Sequence, residues 1–325
     1  MNILVTGGTG SFGQAFVRRL LTVHGYARIV VYSRDEVKQY DMRRALEKEF
    51  PQSADRLRFF LGDVRDEKRL ARVLLGNSID HVVHAAALKQ IPATEYSPLE
   101  AVKTNVGGAV NLIEAALDCS VKKVIALSSD KANQALNLYG ATKMVMEKLL
   151  IQANGFRPTR FACVRYGNVV GSRGSVIPLW REQTAKHPLN QAPITITDPN
   201  MTRFWITLEQ GVQFVISSLE LMQGGEVFVP KLPACTIGEL AKTVAPIAPQ
   251  NIVGLRPGEK MHETLISQDE ARQTRDLGDR YVIYPAIHEF ALVKRGKRVL
   301  DDFEFTSRTA PRIGGKELET MCRSV

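Results

Sequence analysis

The feature that most constrains the fold of this chain is an alternation. Short apolar runs at Asn2–Thr6, Arg28–Tyr32, Leu57–Leu61, His81–Ala85, Lys123–Leu127 and Thr159–Val164 are separated by stretches of helical periodicity. The helical stretches begin with the face Phe12, Ala15, Phe16, Leu20 and continue at Asp35–Phe50, Glu67–Leu75, Leu99–Asp118 and Leu138–Asn154. Apolar strands joined by helices form a parallel sheet covered on both faces. The expected fold class is therefore α/β, a Rossmann-type doubly wound parallel sheet.

After Arg165 the alternation fades and Gly and Pro accumulate, at Gly167, Gly171, Gly174, Pro178, Pro188, Pro193 and Pro199. The expected organisation is a dinucleotide-binding domain over 1–166 and, over 167–325, mainly a smaller C-terminal substrate-binding lobe, from which some chain can return to the first domain. The lobe is expected to hold helices at Leu208–Met222 and Ile237–Ala245 and a strand at Glu226–Val229. From Phe303 the chain is polar and reads as a poorly determined tail ending in a short helix.

Composition narrows the class. With 325 residues, 44% of them hydrophobic, the chain can bury a sizeable core. No apolar run approaches the roughly 20 residues of a membrane span, and no basic segment precedes the first strand, so neither membrane attachment nor a signal peptide is expected. Cys119, Cys163, Cys235 and Cys322 match no metal or redox spacing and are expected to stay reduced, which suits the cytoplasm. The net charge of +9 is spread along the chain without an aromatic-interleaved basic cluster. Nucleic acid is therefore not an expected partner, and anionic small molecules are. No histidine spacing indicates a metal; His84 and His262 read as structural.

Gly7, Gly10 and Gly13 stand three apart at the first strand-to-helix junction. Glycine there permits the tight turn and lets the backbone approach a pyrophosphate at the positive end of the helix. The second strand ends Tyr32-Ser33-Arg34-Asp35, with Lys38 one turn on. Ser33, Arg34 and Lys38 can surround a ribose 2′-phosphate, so NADP is favoured over NAD, although Asp35 counts against it. Asp63 and Val64 follow the third strand, where an acid can bind adenine and an apolar neighbour can pack on it. Ala85, Ala86 and Ala87 follow the fourth, where small side chains leave room for a cofactor.

Tyr139 and Lys143 lie four apart on an expected helix and share a face. An ammonium beside a phenol lowers the phenol's pKa and lets it act as a base near neutrality. The adjacent Asp130-Lys131 pair, eight residues before Lys143's helical partner at its nearest, is more than simple alcohol oxidation needs.

Together the motifs resemble an extended short-chain dehydrogenase/reductase of the nucleotide-sugar-modifying branch, and more narrowly the inverting UDP-N-acetylglucosamine 4,6-dehydratases of the pseudaminic acid type. They run through TGGTGSFG (Thr6–Gly13), YSRDE (Tyr32–Glu36), HAAALK (His84–Lys89), SSDKA (Ser128–Ala132), YGATK (Tyr139–Lys143), RYGNVVGSRGSV (Arg165–Val176), MTRFWIT (Met201–Thr207) and RPGEKMHE (Arg256–Glu263). The resemblance covers about residues 2–290. It implies that Ser129 orients the sugar 4-hydroxyl and that Tyr139, assisted by Lys143, removes its proton as hydride passes from C4 to NADP⁺. Lys131, made partly neutral by burial beside the cofactor, would then take the C5 proton. Asp130 would protonate the departing 6-hydroxyl, and hydride would return to C6 with inversion at C5. The resemblance also implies cofactor contacts from Thr9, Ser11, Phe12 and Val169. Around a UDP-sugar it implies Lys89, Leu127, Ser128, Asn168, Val176, Thr197, Arg256 and Glu259, and it implies a homo-oligomer. A retaining 4,6-dehydratase or C5-epimerase is the nearest alternative. A non-catalytic NADP-binding protein is a more distant one, and the retained tyrosine–lysine pair speaks against it.

Overall fold

The computed structural model describes residues 1–323 except 24, 157, 186–191 and 287–291, so Pro188 and the last residues of the stretch 2–290 lie outside the described residues. The amino-terminal half alternates as the apolar pattern dictates. Its elements are β1 (Asn2–Thr6), α1 (Ser11–Thr22), β2 (Arg28–Ser33), α2 (Glu36–Glu49), β3 (Leu57–Leu61), α3 (Glu67–Gly76) and β4 (His81–His84). There follow α4 (Ile91–Tyr96), α5 (Pro98–Val102), α6 (Gly108–Asp118), β5 (Lys123–Leu127), α7 (Leu138–Gln152) and β6 (Arg160–Val164). These six strands run parallel in the order β3-β2-β1-β4-β5-β6, the doubly wound arrangement. Ile3, Leu4 and Val5 of β1, Val124 and Ile125 of β5, and Phe161 and Ala162 of β6 are fully buried, which is why these strands read as unbroken apolar runs.

The expected single helix over Leu99–Asp118 is interrupted: a π-helical turn at Lys103–Gly107 separates α5 from α6. Within it Asn105 accepts from Leu88 N (2.8 Å) and donates to Leu88 O (2.9 Å) and Thr142 Oγ1 (3.0 Å), tying the chain after β4 to α7. A wide turn at a functional site is a common use of π geometry.

The second half is built from β7 (Asn168–Val169), α8 (Val176–Ala185), β8 (Ile194–Ile196), β9 (Thr202–Ile206), α9 (Leu208–Leu221), β10 (Val227–Pro230), β11 (Ala234–Thr236), α10 (Ile237–Val244) and β12 (Gln250–Ile252). It ends with β13 (Thr264–Ile266), β14 (Thr274–Asp276), β15 (Arg280–Ile283), β16 (Lys297–Arg298), β17 (Phe305–Thr306) and α11 (Gly315–Arg323). Strand β10 returns to the main sheet and pairs in parallel with β6; β15, β14 and β16 extend that sheet antiparallel to ten strands. Helix α9 packs against α1. The other elements surround a second core, with Trp180, Trp205, Ile194, Ile196, Leu240, Ile313 and Leu318 buried.

The chain after Phe303 is not the poorly determined tail expected from its polarity. Strand β17 pairs with β13, Phe305 and Ile313 are buried, and α11 packs on α10. Its apolar residues are too few and too widely spaced to give a periodic signal, yet they suffice to complete the second core. The terminal helix itself stands where expected.

Candidate active site

The glycine turn joins β1 to α1. Gly7 has φ +62°, and a Cβ on it would stand 2.8 Å from the backbone of Ala86, so only glycine permits this approach between the turn and the end of β4. Helix α1 starts from Gly10 with no side-chain cap and no acid in its first turn. Its leading amides are left to an external acceptor, a suitable seat for a phosphate. A cavity of about 460 Å³ opens here, bounded by Gly7, Ser11 and Phe12 on one side and Ser129, Tyr139 and Val169 on the other. A second of about 260 Å³ continues past Thr9 to Ser33, Arg34, Lys38, Asp63, Val64 and Ala86. These residues fit a dinucleotide laid across the sheet.

At the far end Arg34 pairs with Asp63 (3.4 Å), and the Ser33 hydroxyl accepts from Gln39 (2.9 Å). Asp35, which weighed against NADP in the sequence, caps α2: its carboxylate accepts from Lys38 N (2.9 Å) and pairs with the Lys38 ammonium. Its acidity is thus spent on the helix start.

The chemical groups converge where β5 ends. Ser129 caps a short 3-10 turn, Asp130–Ala132, and its hydroxyl donates to Asp130 Oδ1 (2.9 Å). Asn137 caps α7 by accepting from Gly140 N (2.8 Å), which aims Tyr139 and Lys143 at the same point. Burial raises the Tyr139 pKa; the Lys131 ammonium and a hydrogen bond with Ser129 pull it back. The Lys131 ammonium thus stands with Lys143, the cation that the four-residue spacing pointed to, on the cavity that Tyr139 lines. Lys143 Nζ donates to Leu127 O (2.7 Å), and burial lowers its pKa to about 8.

Lys131 also departs from expectation. Its ammonium stands 3.0 Å from Asp130 Oδ1 and 3.4 Å from Glu263 Oε1, both on nearly buried side chains. Burial alone would lower its pKa, but the two carboxylates outweigh that and raise it. In the resting cluster Lys131 is a charged lysine, not the partly neutral amine that desolvation alone would make.

A third cavity of about 250 Å³ adjoins the first at Lys131, Asn168 and Val176 and is lined further out by Thr197, Arg256 and Glu259. Arg256 faces Glu259 at 4.0 Å. Lys89, Leu127 and Ser128 line the first cavity. Burial and the neighbouring Arg173 both lower the Lys89 pKa; no carboxylate pairs with Lys89 among the described residues. A half-buried cation beside another cation is a seat for an anion. Among the described residues no three metal-ligating side chains converge.

Over residues 3–285 the sequence matches the family described as polysaccharide biosynthesis protein. The chain belongs to this family. A Campylobacter jejuni protein named UDP-N-acetylglucosamine 4,6-dehydratase (inverting) is 45% identical over 95% of this chain and 93% of its own, which bears out the resemblance read from the motifs. A Rickettsia canadensis protein named UDP-glucose 4-epimerase is 42% identical over 98% of this chain and 94% of its own. Among solved structures, Pen from Bacillus thuringiensis superposes with a TM-score of 0.88 at 35% identity, covering 99% of this chain and 97% of that one. The dTDP-glucose 4,6-dehydratase DesIV of Streptomyces venezuelae, solved with NAD, shares the fold at a TM-score of 0.68 and 23% identity, over 80% of this chain and 87% of that one.

In this member of the polysaccharide biosynthesis family, sequence reading missed Arg173, Arg203 and Glu263 as site residues. Each lay within a quoted motif, but only folding shows what it faces. Arg173 donates from its backbone N to Ser11 Oγ (3.2 Å) and from its guanidinium to Thr9 O, spanning the glycine turn. The glycine of the YGATK motif also acquires a reason. A Cβ at Gly140 would lie 2.1 Å from the carbonyl oxygen of Lys131, so α7 can lie against the catalytic turn only with glycine there. Gly140→Ala is expected to cost about 3 kcal/mol or more, above the usual range for overpacking because the obstacle is backbone. Thermal unfolding of the two proteins side by side checks this.

Proposed function

We propose that the protein is a UDP-N-acetylglucosamine 4,6-dehydratase of the inverting kind, a hydro-lyase working with NADP in a surface-glycan pathway of the pseudaminic acid type. One observation carries the reading. The tyrosine–lysine pair suited to oxidising an alcohol opens on the same cavity as a buried Asp130–Lys131 pair suited to eliminating water. The 45% identical Campylobacter jejuni relative carries the corresponding name. The glycine turn, the open start of α1, Ser33, Arg34, Lys38 and Asp63 would hold the dinucleotide, and Lys89 and Arg256 would meet the UDP diphosphate.

When bound, the nicotinamide supplies reversible hydride storage, taken from C4 and returned at C6. Tyr139, with Ser129 fixing the hydroxyl, takes the 4-hydroxyl proton. The resting cluster holds its proton on Lys131. Transfer along the 3.0 Å hydrogen bond to Asp130 leaves a neutral amine for the C5 proton and a carboxylic acid for the departing 6-oxygen. Elimination then restores the ammonium and carboxylate, Lys131 can return its proton to C5 from the inverting face, and the proton that Tyr139 took from the 4-hydroxyl recharges Lys131 for the next turnover. Water is the sole net product besides the 4-keto sugar.

Arg34→Ala is expected to weaken NADP far more than NAD, by about tenfold or more for a charge-assisted phosphate contact; equal losses in a titration with both cofactors would remove Arg34 from the 2′-phosphate site. The reaction itself is tested by incubation with UDP-N-acetylglucosamine and no added cofactor, followed by NMR. A 6-deoxy-4-keto product of inverted C5 is expected. A product still bearing its 6-hydroxyl and epimerised at C4 would favour the second reading, which the name of the Rickettsia relative raises.

No helix among the described residues is long and apolar enough to cross a membrane, in keeping with a cytoplasmic enzyme. Tyr96, Leu99, Val102, Leu136, Met144 and Val145 are exposed on or beside the mutually packed α4, α5 and α7. Such a concentration of apolar surface supports association with further copies of the chain.

A further inference from the structure

The motif residue that the reaction above leaves unused is Glu263. Its side chain is 3% exposed, Oε1 lies 3.4 Å from Lys131 Nζ and 3.8 Å from Arg203 Nε, and Oε2 has no hydrogen-bond partner. A buried carboxylate with an empty oxygen is costly to keep, and its position is held from the carboxy-terminal segment. Ser307 Oγ accepts from Glu263 N (2.8 Å), Ser307 N donates to Glu263 O (2.8 Å), and Ser307 Oγ also donates to Thr202 O (3.1 Å). The strand just before Ser307, β17, pairs with the strand that follows Glu263, β13. The structure thus fastens this carboxylate behind the Lys131 ammonium, which itself reaches the cavity.

We propose that Glu263 is a positioning residue for the acid/base pair: its carboxylate holds the Lys131 ammonium opposite Asp130, and so governs the pH at which Lys131 can release its proton and take one from C5. The groups that face Lys131 are Asp130 on its own turn, Glu263 from the segment before β13, Arg203 from β9 and Tyr139 from α7. Lys260, whose Nζ donates to Asn133 O (2.7 Å), stands near the same carboxylates. Two carboxylates favour the ammonium and two cations oppose it. Removing the charge of Glu263 therefore shifts the balance toward the neutral amine. No outside reactant enters: the proton moves from Lys131 Nζ to Asp130 Oδ1, and Glu263 sets how readily.

The inference rests on the dehydratase reading for its effect on turnover, so two measurements keep the two ideas apart. The first needs no substrate. Competitive acetylation with acetic anhydride, read by mass spectrometry on cofactor-loaded protein, reports the pH at which Lys131 becomes reactive. In Glu263→Gln that onset is expected at a pH lower by at least about one unit, the size of a close opposite-charge effect. Glu263→Asp, which keeps the charge, is expected to restore the wild-type onset. Coincident onsets in wild type and Glu263→Gln overturn the proposal.

The second follows deuterium entry at C5 from D₂O and nicotinamide absorbance against pH. In Glu263→Gln the rising limb of C5 exchange moves down with the acetylation onset, while C4 oxidation, which draws on the Lys131 ammonium beside Tyr139, stays within about threefold of wild type below that onset and falls above it. A fixed limb with both steps slowed equally marks Glu263 as structural only. Should Glu263→Gln fold poorly, Ser307→Ala leaves the carboxylate in place with a looser anchor. It is expected to slow C5 exchange about threefold or more relative to C4 oxidation, and parallel loss of both steps overturns the proposal. Wild-type protein that incorporates no deuterium and reduces no nicotinamide with UDP-N-acetylglucosamine would refute the dehydratase reading, while the acetylation result would still decide the role of Glu263.

Discussion

Tyr139→Phe is expected to lower turnover by ~10²–10⁴, the contribution of a positioned general base, with fold and cofactor retained. The phenol is partly buried where it lines the cavity, and burial works against its ionisation; the Lys131 ammonium and the Ser129 hydrogen bond are what make the phenolate accessible. Losing only the oxygen leaves the ring in its packing and leaves α7 capped by Asn137. The defect should therefore appear in the first step. Rapid mixing with UDP-N-acetylglucosamine should show no burst of reduced nicotinamide absorbance, whereas wild type shows one. A variant that reduces its nicotinamide at the wild-type rate and stalls afterwards would move Tyr139 out of C4 oxidation.

Lys131→Met is expected to abolish elimination, a fall of ~10²–10⁴ or more in turnover, and also to lower stability. The substitution removes the cation between two side chains that are 1% and 3% exposed. Breaking a buried pair by deleting one partner costs about 3–5 kcal/mol, because the remaining charge is uncompensated. Asp130 would keep only the Ser129 hydroxyl and the unpartnered Oδ2 it already has. Denaturant unfolding of the two proteins at neutral pH measures the deficit; equal stabilities would mean that the ammonium is not what compensates the two carboxylates.

The parallel half of the sheet was legible in the sequence because its strands are buried on both faces and its helices on one. Burial of that kind forces apolar runs to alternate with helical periodicity, and most boundaries from Asn2 to Val164 fall within a residue or two of expectation, apart from the unforeseen α4 and the π turn that splits Leu99–Asp118. The glycine turn, Tyr139 with Lys143, and Asp130 with Lys131 were legible for a similar reason: in each the partners stand on one turn or one helix face. That Asp35 caps α2 was not legible, because a cap and a ligand are the same residue type and only the hydrogen bond from Lys38 N identifies the cap.

The rest depended on contacts between residues far apart in the chain. Strands of two to four residues, such as β7, β13 and β17, carry too few side chains to set a period, so their pairing is decided by the surface they find. The segment after Phe303 looked idle because its few apolar residues are widely spaced and its polar contacts near the site come from Ser307 against Glu263 and Thr202. The charges around Lys131 depend on such contacts too. Its sequence neighbour Asp130 was visible, but the second carboxylate lies 132 positions on and comes within 3.4 Å only in the fold. Desolvation is a property a single residue suggests by itself. The Coulomb interaction that outweighs it depends on distance in space, and that the tertiary structure alone decides.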